Sequence, residues 1–139
     1  MRRKQVKDNF KKILRDAGLK STTPRLTVLN VISEIKHPVT AQEIHKKMNN
    51  LDLVTLYRTL ASFEENQLIK KINLKKDAVY YEYNNDHHHH IICTNCSKVE
   101  DFENTEIEKV LGEILRKSSK FKKIKEHSLE LFGLCVKCA

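Results

Sequence analysis

The chain has 139 residues, 40% hydrophobic and 32% charged, with 26 Lys+Arg against 18 Asp+Glu. That size fits one ordinary domain or two small ones, and no apolar run approaches the ~20 residues of a membrane span. The basic N-terminus, MRRKQVKDNFKKIL, lacks the apolar core and small-residue cleavage site of a secretory signal. A cytoplasmic protein without membrane attachment is expected, and in that compartment Cys-x-x-Cys pairs point to metal rather than to disulfides.

The charge is lopsided. Residues 1–84 carry 17 Lys+Arg and 9 Asp+Glu, whereas residues 85–139 carry 9 of each, so the whole excess of +8 lies in the first part. All four cysteines and five of the seven histidines lie in the second. The division suggests a basic domain that meets a polyanion and a neutral domain that holds metal.

In chain order, Val6, Phe10, Ile13 and Leu14 fall at helical spacing over Lys4 to Arg15, and Ala17-Gly18 ends that helix. A second helix follows, with Thr23 as its cap, Pro24 in its first turn and an apolar face of Leu26, Val28, Leu29, Ile32 and Ile35. His37-Pro38 stops it. Thr40 and Glu43 have capping-box spacing at the start of a third helix, with Ile44 and Met48 inward. Asn49-Asn50 marks a turn before a fourth helix, LVTLYRTLASFEENQ. LIKKINL and AVYYEY then flank Lys75-Lys76-Asp77 as a β-hairpin. Short helices followed by a hairpin outline a winged helix, whose recognition helix meets base edges in the major groove. Thr55, Tyr57, Arg58, Thr59 and Ser62 lie off the apolar face of the fourth helix, where such side chains reach phosphates, thymine methyls and base edges.

In the second part, IICTNCSKVEDF gives strand, knuckle and strand. Ile107, Val110, Leu111, Ile114 and Leu115 mark a helix over Thr105 to Leu115, and Lys122 to Leu134 is again β-like. Two Cys-x-x-Cys pairs, Cys93/Cys96 and Cys135/Cys138, separated by 38 residues, supply the four thiolates of a closed tetrahedral zinc site that would staple the C-terminus to the sheet. The preceding run, DHHHH, is the second cluster. In a strand, alternate side chains point to opposite faces, so His88 and His90 would serve one site and His87 and His89 another. Neither face is a complete ligand set, and Glu82, Asp101, Glu108, His127 and His37 are the available partners.

Taken together, GLKSTTPR, VTLYRTL, YEY, DHHHHIICTNCSKVEDF and EHSLELFGLCVKC resemble the ferric uptake regulator family of metal-sensing repressors over nearly the whole chain. The resemblance implies an α+β architecture, with a winged-helix DNA-binding domain over 1–84, a hinge at about 82–87 and an α/β dimerisation domain over 85–139 that carries the structural zinc. It implies a homodimer on A/T-rich, pseudo-palindromic double-stranded operators. Cys93, Cys96, Cys135 and Cys138 resemble the structural Zn²⁺ site. His37, Glu82, His88, His90 and Asp101 resemble the regulatory site, and His87, His89, Glu108 and His127 a third site. Many relatives have Asp where this chain has His89. Tyr57 and Arg58 resemble the major-groove contacts and Lys20 the minor-groove lysine, with Arg25 and Thr55 as phosphate contacts.

The donors of the regulatory site suit Fe²⁺, Zn²⁺ or Mn²⁺. The zinc-sensing branch often recruits a cysteine there, and this chain has none outside its two pairs. The peroxide-sensing branch usually has Asp where Glu82 stands. Fe²⁺ therefore ranks ahead of zinc sensing and of peroxide sensing through Fe²⁺ or Mn²⁺. Readings from other classes are a metal-buffering protein, which has no use for a basic half, and a metal-dependent hydrolase, for which the sequence has neither HExxH nor an obvious general base.

Overall fold

A computed structural model describes residues 2–48, 50–84 and 87–139, and the chain divides into two compact units, 1–85 and 86–139. The hinge expected at about 82–87 includes Asn85 and Asp86, and the Asn49-Asn50 turn includes Asn49; these three positions lie outside the described residues.

The first unit opens with α1 (Arg2–Asp16) and α2 (Thr23–Glu34). Gly18, at φ +77°, closes α1 in a paired-hydrogen-bond cap: Leu19 N–H reaches Leu14 O at 2.8 Å and Gly18 N–H reaches Arg15 O at 2.9 Å. The cap of α2 is Thr22, not the expected Thr23; its hydroxyl accepts from Arg25 N–H, and Thr23 is already helical ahead of Pro24. β1 (Val39–Thr40) leads into α3 (Ala41–Lys46), where Thr40 Oγ1 accepts from Glu43 N–H at 3.2 Å. Then come α4 (Leu53–Glu65), β2 (Ile69–Ile72) and β3 (Tyr80–Tyr83). The strands form an antiparallel sheet in the order β1-β3-β2, with β2 and β3 as the wing.

The apolar faces read from the sequence meet in one core. Leu14, Val28, Leu29, Ile32, Ile44, Leu56, Leu60 and Phe63 are buried together, with Phe10, Met48 and Tyr81 at its edge. Val6 stays exposed at the start of α1. Thr59, placed by its sequence position on the outward face of α4, is buried, and its hydroxyl donates back to Thr55 O at 2.8 Å. It packs with the core and is not available to DNA.

The second unit comprises β4 (His89–Cys93), β5 (Val99–Phe102), α5 (Thr105–Lys117) and β6 (Glu130–Gly133). Its sheet runs β5-β4-β6, with β5 antiparallel and β6 parallel to β4. Asn104 caps α5, accepting from Glu106 and Ile107 N–H, with Glu106 and Glu108 in the first turn and Arg116 and Lys117 in the last, complementing the helix dipole. The β-like stretch expected over Lys122 to Leu134 forms a strand only at Glu130–Gly133. Its lysine-rich first part alternates poorly and is exposed, and β6 pairs with β4 only along His90 to Cys93. The buried apolar residues described in this unit are Ile92 and Cys93, and His89 and His90 are buried beside them.

Candidate metal centres and nucleic-acid interface

The sheet of the second unit positions its ligand-type side chains. Cys93 ends β4, and the turn after it closes by Ser97 N–H to Cys93 O at 2.9 Å, with Ser97 left-handed at φ 65°. Cys135 and Cys138 sit in a matching turn just beyond β6, closed by Cys138 N–H to Cys135 O at 2.9 Å. Parallel pairing of Cys93 with Gly133 brings the two turns together. All four cysteines are free thiols, and their sulfurs lie within 4.8 Å of one another.

The spacing tests the fit of a metal. A tetrahedron with metal–sulfur bonds of ~2.3 Å has edges of ~3.8 Å, and Cys96 Sγ lies 3.7 Å from Cys135 Sγ. Backbone N–H groups of Cys96 and Cys135 donate to Cys93 and pull its pKa down to about 6. Hydrogen bonding by Lys137 N–H and by Cys138 lowers Cys135 as well. For Cys138, the Asn95 side chain favours the thiolate, but the neighbouring sulfurs and burial outweigh it and push the pKa up to about 11. Four sulfurs this close cannot all ionise without a cation between them, which is the electrostatic condition of a tetrathiolate zinc site.

The histidine run is two-faced. β4 begins at His89, yet the alternation extends back through His88 and His87. On one face His87, His89 and His127 converge on a single carboxylate oxygen, Glu108 Oε1, with Nε2 distances of 2.8, 3.0 and 3.2 Å. His89 is 1% exposed and packs against Phe102, with 5.5 Å between ring centroids. Desolvation pushes the Glu108 pKa up, but hydrogen bonds from His87 and His89 and the charge of His127 outweigh it, and the net shift is downward. Three imidazole nitrogens and one carboxylate oxygen within 4.8 Å are a donor set that holds a first-row divalent ion.

On the other face the His88 and His90 rings stack edge-on at 4.8 Å. Asp101 is the cross-strand partner of His90, and its Oδ1 lies 3.6 Å from His90 Nε2. The other two expected regulatory ligands belong to the first unit. Glu82 is a buried residue of β3, and His37 lies exposed in the α2–β1 loop, where Nδ1 is 3.1 Å from Pro38 O. Because Val39 pairs antiparallel with Tyr81, His37 and Glu82 fall at the same end of that sheet.

The expected DNA contacts all lie in the first unit. On α4, Tyr57 and Arg58 are exposed, and Val54, 58% exposed, lies beside them. Val54 was not singled out by sequence, since an apolar residue one position from the inward stripe reads as core. Thr55 gives its hydroxyl proton to Asp52 Oδ1 at 2.6 Å, while Asp52 Oδ2 accepts from Thr55 N–H. Thr55 thus completes the cap of α4, and a phosphate would have to compete with Asp52 for that proton. Arg25 Nη1 donates to Lys20 O at 3.0 Å, fixing the α1–α2 loop that presents the exposed Lys20.

A winged helix joined to a small α/β unit with three clusters of metal-type ligands defines a metal-responsive, DNA-binding regulator of transcription. The ferric uptake regulator family matches residues 16–132. The ferric uptake regulation protein of Cupriavidus metallidurans is 34% identical over 131 residues, covering 89% of this chain and 90% of that protein. That of Campylobacter jejuni is 33% identical over 138 residues, covering 94% and 87%. Among solved structures, the ferric uptake regulator of Pseudomonas aeruginosa with manganese superposes with a TM-score of 0.81 at 28% identity, covering 92% of this chain and 98% of that one. The Helicobacter pylori regulator, described as having three functional metal binding sites, gives 0.79 at 26% identity, covering 97% and 92%. The chain belongs to the ferric uptake regulator family. It is a transcription regulator and not an enzyme, and no described helix is long and apolar enough to cross a membrane.

Proposed function

We propose that this protein is an Fe²⁺-responsive repressor that acts in the cytoplasm as a homodimer on A/T-rich palindromic operators. The observation that carries the reading is the pairing of two buried-to-half-buried histidines, His88 and His90, with Asp101 across the strand, on the sheet face opposite the Glu108 cluster. In this reading Cys93, Cys96, Cys135 and Cys138 hold structural Zn²⁺. His88, His90 and Asp101, with His37 and Glu82 from the first unit, hold the regulatory ion, and His87, His89, Glu108 and His127 form a third site. An ion that draws ligands from both units favours one arrangement of the DNA-binding units over others, which is how metal and DNA become coupled.

The lack of any cysteine outside the two pairs leans away from zinc sensing, and relatives named for ferric uptake support Fe²⁺. Homodimer formation is supported by apolar surface. α5 buries none of its residues fully and exposes Val110 and Ile114, and the paired sheet residues Ile91 and Leu131 are also exposed. Lys20, Arg25, Tyr57 and Arg58 are the proposed DNA contacts, with Thr55 held in the α4 cap.

The test is fluorescence anisotropy with operator DNA obtained by selection from random sequence, titrating Fe²⁺, Mn²⁺ and Zn²⁺ separately at fixed salt, because phosphate contacts make affinity steeply salt-dependent. Tightening by about tenfold or more, ~1.4 kcal/mol of coupling, with Fe²⁺ most effective, is expected. A Zn²⁺-only response would make the protein a zinc sensor, and no response to any metal would refute the sensor reading.

A further inference from the structure

We propose that Gln42 is a positioning residue for operator readout, holding the Tyr57 hydroxyl so that its proton is directed at an acceptor on DNA. The inference rests on the reading of α4 as the recognition helix. Its basis is a contact between helices: Gln42 Nε2, on α3, donates to Tyr57 Oη, on α4, at 3.1 Å.

Both ends of this bond are anchored. α3 is fixed by the Thr40 cap and by buried Ala41 and Ile44, and α4 by the Asp52 cap and buried Leu56 and Leu60. Gln42 and Tyr57 are themselves exposed, so the bond contributes little to the core. Its consequence is directional. A phenol that accepts from an amide N–H still has its own proton to give. The Tyr57 hydroxyl therefore keeps its proton for a base-edge acceptor, a purine N7, guanine O6 or thymine O4, and is unsuited to the amino groups of adenine and cytosine. The bond also restrains the ring, so DNA binding has less of its freedom to freeze.

The experiment is a double-mutant cycle on the full-length, metal-loaded chain, with Gln42→Ala, Tyr57→Phe and the double variant. Affinities for the selected operator, for each single-base variant of it and for non-specific duplex are measured by anisotropy at two salt concentrations. Gln42→Ala is expected to weaken operator binding about fivefold, the equivalent of one neutral hydrogen bond of ~1 kcal/mol. It should relax discrimination at one or two adjacent base positions. In the Tyr57→Phe background the same change should have less than a 1.5-fold effect. Non-specific affinity and the salt slope should match the wild type. Equal losses in both backgrounds, or an equal loss on non-specific DNA, would overturn the proposal while leaving the regulator reading intact. A wild-type chain that selects no DNA with any metal would overturn the regulator reading, and this inference with it.

Discussion

Stripping the structural metal proposed for the four-cysteine cluster should unfold the second unit while sparing the first. That unit's described residues bury only Ile92 and Cys93 as apolar side chains, beside two histidines. Domains below ~70–80 residues rarely draw more than ~3–5 kcal/mol from a core of their own and lean on metals or oligomerisation. Cys93 and Cys135, brought together by the cluster, are 42 positions apart. Closing a loop of that length with a cross-link is worth ~4 kcal/mol in the chain-entropy account. Loss of the staple therefore removes about as much stability as the unit has. All four tyrosines, Tyr57, Tyr80, Tyr81 and Tyr83, lie in the first unit, so their fluorescence is an internal control. The assay is amide hydrogen exchange with and without a strong chelator, and on Cys96→Ser. Protection at Ile92, Cys93 and Thr94, the last bonded to Gly133 O at 2.8 Å, should fall by roughly 10³-fold. Protection in α4 and the tyrosine melt should hold. Unchanged protection in β4 after verified metal loss would refute the reasoning.

Three other changes have defined outcomes. His90→Ala should abolish the metal-dependent gain in DNA affinity, about tenfold or more, while metal-free affinity and the cysteine-bound metal stay as in wild type; anisotropy and metal analysis check both. Gln67 closes α4 in the left-handed region at φ 61°, with Leu68 N–H to Phe63 O at 2.8 Å, so Gln67→Gly should stabilise the first unit by ~1 kcal/mol in denaturant titration. Hydrogen bonds from the Thr55 side chain and backbone hold Asp52 below its ordinary 3.8. A depressed carboxylate stabilises the fold above its unfolded value and loses that effect as pH falls through the folded one. The Thr55 amide resonance should therefore titrate below pH 3.8, and Asp52→Ala should remove the titration.

Where a side chain's surroundings are local, the sequence was a sufficient guide. The helical stripes of α1 to α5, the Thr40 cap and the β2–β3 wing follow from period and turn chemistry. The two faces of the histidine run follow from the strand's period of two, and His87 and His89 meet at Glu108 while His88 and His90 stack opposite. Apart from the one-residue shift of the α2 cap from Thr23 to Thr22, what escaped depends on distant partners. β1 has two residues and exists only because β3 pairs with it. Thr59 looked solvent-facing on a helical wheel, but the neighbouring elements of the core enclose it. Residues 122–129 looked β-like, but β6 pairs with β4 only along Glu130–Gly133. The Gln42–Tyr57 bond joins residues 15 positions apart on different helices, beyond the reach of any local pattern.

The coupling of regulatory metal to DNA is reciprocal by thermodynamic necessity. Its most direct test is the affinity of the zinc-replete protein for Fe²⁺ under anaerobic conditions, measured with and without saturating operator DNA. The account predicts that operator tightens Fe²⁺ binding by the same factor, about tenfold or more, by which Fe²⁺ tightens operator binding, and that His90→Ala loses both effects together. An Fe²⁺ affinity indifferent to operator would contradict it.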